Sequence, residues 1–61
     1  MFITTDIIVQ ILAKSAHIDN FILEQDEILK IIKVEESTVT FKRLKTDEIL
    51  SCSIMALSMV I

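Results

Sequence analysis

The side chains able to do chemistry in this chain are few: Cys52, His17 and two acidic pairs, Asp26 with Glu27 and Asp47 with Glu48. Zinc asks for four Cys, His or carboxylate ligands in close array, and one cysteine and one histidine far apart do not supply them. A calcium loop needs closely alternating oxygen ligands, a spacing neither acidic pair has. A reactive thiol needs a cation nearby to lower its pKa, and none adjoins Cys52 in sequence. Cys52 instead falls at an inward position of an apolar strand, which reads as a buried core thiol. His17 reads as a solvated loop residue, and the acidic pairs as solubilising groups in turns. With no nucleophile or acid–base pair converging on a pocket, the chain is expected to be a binding protein, not an enzyme, with no metal and no cofactor.

The charge pattern offers more. Residues 1–29 hold five acids against one lysine, whereas residues 30–45 hold five bases, Lys30, Lys33, Lys42, Arg43 and Lys45, against two acids. Five cations on one hairpin could track a phosphate backbone, which makes them the candidate nucleic-acid contacts. Outward positions of an amphipathic hairpin are often basic without function, and Phe41, the one aromatic residue there, is expected to face inward, away from any stacked base. The acidic first half, Asp19 and Glu24 included, could instead dock on a basic protein surface by charge complementarity.

These residues must be placed by secondary structure without the usual punctuation, because the chain has no glycine and no proline. Thr4, Thr5 and Asp6 resemble a helix cap, and Ile8, Ile11, Leu12, Ser15 and Ala16 follow at helical spacing, predicting a helix over 5–15. Strands are predicted over 21–25, 28–35, 38–45, 49–54 and 57–61, separated by short polar turns at 26–27, 36–37 and 46–48. The expected architecture is α+β: one N-terminal helix, then a four- to five-stranded antiparallel meander closing into a small barrel.

A chain of 61 residues forms a single domain and buries only about 60% of its unfolded surface, so it sits near the lower limit for folding alone. With 52% hydrophobic residues, twelve of them isoleucine, it has more aliphatic side chains than so small an interior can hold. Association with copies of itself is therefore expected, through the uncharged stretch 49–61 and especially Ile54, Leu57, Met59 and Ile61. That stretch is shorter than the roughly twenty residues of a spanning helix, so no membrane role is expected. No signal peptide is evident, and a lone cysteine fits a reducing cytoplasm.

The predicted order of one helix and five short strands resembles the Sm-like small barrel, with its bacterial Hfq-like branch and the related SH3-like barrels. Against the first Sm motif, Ile28, Ile32 and Val39 occupy the apolar positions, Glu36 stands where Asp is usual and Thr40 where Asn is usual. Lys30 replaces the glycine that lets the strand bend. Of the bacterial Tyr-Lys-His-Ala-Ile-Ser stretch, only Ala56, Leu57 and Ser58 keep the pattern, and the Lys-His pair directed at RNA is absent. The resemblance implies a ring joined strand to strand between subunits, binding RNA. The competing expectation is a small acidic inhibitor, of the kind phages and plasmids encode, that binds and blocks a host protein.

Overall fold

Alternation, not helical spacing, governs the first apolar run. Val9 and Ile11 are buried, while Ile8 and Leu12 are 56% and 62% exposed. Ile7, Ile8, Val9 and Ile11 are β-branched, stiff at χ1 and better packed on a pleated strand than on a helix. The helix predicted over 5–15 is therefore not formed. Its place is taken by β1 (Ile8–Gln10) and the start of β2 (Ser15–Ile18).

The computed structural model describes residues 3–18 and 21–61, which are mostly antiparallel strand. After β1 and β2 come β3 (Phe21–Glu24), β4 (Ile28–Val34), β5 (Thr38–Arg43), β6 (Ile49–Ser53) and one short helix, α1 (Ile54–Ser58). A four-stranded sheet has the order β1-β4-β5-β6, and β2 pairs with β3 in a separate hairpin. Residues on one face of the larger sheet, among them Val9, Leu29, Ile31, Val39, Phe41 and Cys52, alternate inward. Ala16, Ile18 and Leu23 of the hairpin close over them, and Phe21 meets Phe41 edge to face at 6.0 Å between ring centroids.

The two sheets do not close into the predicted barrel, and the predicted strand over 57–61 is absent. Ser53 ends β6 by capping α1, its side chain accepting the Met55 N–H at 3.2 Å. The helix turns Leu57 fully into the core. The segment beyond it returns to the first part of the chain, where the Val60 carbonyl accepts the N–H groups of Leu12 at 2.8 Å and Ala13 at 3.3 Å.

Three aspartates do what glycine usually does. Asp6, Asp26 and Asp47 have φ of 70°, 67° and 63°, in the left-handed region that short polar side chains tolerate best after glycine. Each is followed by a residue that shares its single partner, and the same two bonds recur. Asp6 N–H donates to Ile31 O while Ile31 N–H donates to Ile7 O; Asp26 and Glu27 engage Ile11 in this way, and Asp47 and Glu48 engage Arg43. Two residues facing one, the first left-handed, is the geometry of a β-bulge. Replacing Asp26 or Asp47 by Gly should leave stability within about 1 kcal/mol, because relief of the left-handed cost offsets the entropy of glycine. Replacing either by Val should cost about 1–2 kcal/mol or more. Urea unfolding decides between them, and equal tolerance of Gly and Val would contradict the assignment.

Candidate binding face

The bulges aim side chains. Glu27 and Glu48 are the second residues of two of them, and both carboxylates reach Arg43. Glu27, read from sequence as a solubilising turn residue, has a side chain only 1% exposed. Arg43 Nε donates to its Oε1 and Arg43 Nη2 to its Oε2 at 3.1 Å, while the Glu24 N–H donates to the same Oε2 at 3.0 Å. Arg43 Nη1 donates to Glu48 Oε1 at 3.1 Å, which also accepts the Thr46 hydroxyl. Burial by itself would push the Glu27 carboxyl up; the Arg43 hydrogen bonds, the Glu24 N–H and the charges of Arg43 and Lys45 outweigh it and hold the group below its ordinary value. The Glu27 hydrogen bond correspondingly raises Arg43 against its own desolvation. Arg43 is thus a structural clasp between the turn after β3 and the end of β5, not a free cation.

The other expected phosphate contacts divide. Lys45 reaches Glu24 at 2.7 Å, Lys33 reaches Glu35 at 3.0 Å and Lys42 reaches Asp47 at 3.3 Å. These three pairs are solvent-exposed, and such pairs hold their lysines only weakly. Of the acids expected to dock, Glu24 pairs with Lys45 and Glu27 is buried, while Asp26 stays exposed at its bulge. Asp19 lies outside the described residues. Between the turns at 25–27 and 44–47 runs an open groove of about 510 Å³, lined by Ile28 and Leu44 among charges that pair with one another.

What the register does assemble is the outer face of the larger sheet. Ile8 opposes Lys30, Lys30 opposes Lys42 and Lys42 opposes Ile49, so one row crosses all four strands. In the next row Lys33 opposes Thr40, and the Thr40 and Ser51 hydroxyls are 3.0 Å apart. Ile8 and Ile49 are 56% and 63% exposed, and Ile32 at the β4 irregularity is 37% exposed. Like charges directly opposite on a sheet repel. Lys30 and Lys42 hold that arrangement at the centre of the face, between exposed isoleucines. Sequence reasoning named the lysines as contacts but did not join Ile8, Ile32 or Ile49 to them; Ile8 was hidden by its reading as helix, the others by lying in different strands of unknown register.

The residues expected at a subunit seam also separate. Leu57 is fully buried in its own chain, Ile54 and Ile61 pack partly against the core, and only Met59, 84% exposed, is open to a partner. Cys52 is buried, as expected. His17 is exposed as expected, but on β2 opposite Ile22 instead of in a loop. Among the described residues no cluster of three metal-ligating side chains occurs, and no helix is long and apolar enough to cross a membrane. No family model, curated protein or solved structure matches the chain.

Proposed function

We propose that this chain is a non-enzymatic binding protein that takes an acidic, partly apolar segment of another protein on the outer face of its four-stranded sheet. The row Ile8, Lys30, Lys42, Ile49 carries the reading. A carboxylate set between Lys30 and Lys42 relieves their repulsion, and aliphatic side chains beside it cover the flanking isoleucines. RNA is the weaker reading of the same lysines. The chain has a net charge of −3, Arg43 is committed to Glu27, and the apolar flanks have no counterpart on a phosphate backbone.

Selection of short random peptides displayed against the immobilised protein tests this. Enriched sequences should carry Asp or Glu beside Leu, Ile or Val. Serine at both Lys30 and Lys42 should weaken their binding about tenfold or more, a loss of at least 1.4 kcal/mol. Enrichment of peptides without acids, or binding indifferent to both substitutions, would sink the proposal.

A further inference from the structure

We infer that β6 is a self-complementary edge, through which two copies of this chain pair antiparallel about a two-fold axis and join their four-stranded sheets into one. The argument begins with where the backbone of β6 points. Arg43 N–H donates to Glu48 O at one end of the pairing with β5, and Ile54 N–H donates to Ser37 O at the other. With Phe41 opposite Leu50 and Val39 opposite Cys52 between them, residues 48, 50, 52 and 54 direct their backbone groups to β5. Ile49 and Ser51 therefore direct theirs away, as Ser53 does its N–H before its carbonyl starts α1, and no strand among the described residues lies beyond β6.

Edges of this kind are usually guarded by charge, proline or a bulge. Ile49–Ser53 has none of these. The opposite edge, β1, is only three residues long, and the backbone just past it already receives Val60. That contact also decides what the occupant of β6 can be. A head-to-tail ring needs the end of one chain to extend along the next, but Leu57 is in its own core and Val60 is bonded to Leu12 and Ala13. A second β6 needs nothing released. Run antiparallel, it presents the same three residues in reverse order, and no like charges oppose one another because the strand carries none. Ile49, exposed on the outer face beside the seam, gains the mate as a neighbour on its edge side while its outer side stays open, and the two binding faces become one continuous surface.

Light scattering of the purified protein over a concentration series tests the pairing. The expected mass is twice the 7.0 kDa of the chain, falling to 7.0 kDa on dilution. Ser51→Pro removes an outward N–H that the β5 pairing does not use, and Ile49→Lys places two like charges at the seam. Each should weaken association about tenfold or more while the circular dichroism spectrum is unchanged. Should proline disturb the strand, Ile49→Lys decides alone. A monomer at every concentration, a mass above the dimer, or a dimer indifferent to Ile49→Lys would overturn the inference. None of these results depends on whether peptides bind the outer face.

Discussion

Replacing Arg43 by Met is expected to cost about 3–5 kcal/mol, the usual penalty for stranding one partner of a buried ion pair. A domain of this length has only about 3–9 kcal/mol in total, so the variant should be largely unfolded at room temperature. The loss comes mainly from Glu27, whose side chain is 1% exposed and keeps just the Glu24 N–H once the guanidinium is gone. Adding Glu27→Leu to Arg43→Met should recover much of the stability, because nothing charged is then buried. Denaturant unfolding of the two singles and the double gives the coupling directly, and an Arg43→Met protein as stable as the parent would contradict the clasp. The pH dependence has a fixed sign. Glu27 is held below its ordinary value of 4.5, so its contribution is complete above that value and is lost as pH falls through the lower folded pKa. Glu27→Gln should remove that part of the acid sensitivity.

Leu57→Lys is expected to unfold the chain itself, whereas Met59→Lys should leave it folded. Both positions read alike in the sequence, as apolar residues of an uncharged tail. In the structure Leu57 is the one buried residue of α1 and Met59 is 84% exposed. Truncating a buried leucine already costs about 2–5 kcal/mol, and an unpaired ammonium in its place costs more. Met59→Lys also lies off the β6 edge, so it should not change the mass in solution. Circular dichroism and light scattering on the two variants check both statements. Loss of assembly in Met59→Lys with the fold intact would restore the tail as the seam.

Four strands were legible in the sequence because their turns were: Asp26, Ser37 and Asp47 interrupt runs of alternating apolar residues, and β3, β4, β5 and β6 begin where predicted and end within two residues of their predicted ends. The first segment was not legible, because Ile8, Ile11 and Leu12 satisfy helical spacing while Val9 and Ile11, the pair that is buried, satisfy strand spacing. Ser53 misled in a similar way, alternating like a strand residue while serving as a helix cap. The site was harder. That Glu27 is buried follows from Arg43, sixteen residues on, and from two bulges that aim carboxylates at it. Nor does any local pattern place Ile8 and Ile49 in one row with Lys30 and Lys42, since register is fixed by the whole sheet.

The most direct test of the outer face as a protein-binding surface is an amide chemical-shift titration of the isotopically labelled protein at low salt. One arm uses an acidic peptide rich in leucine, and the other a short U-rich RNA. The account predicts saturable shifts with the peptide, centred on Ile8, Lys30, Lys42 and Ile49, and none of comparable size with RNA. Saturable shifts with RNA that collapse as salt is raised, with the peptide producing none, would contradict it and return the three outer-face lysines to a phosphate backbone.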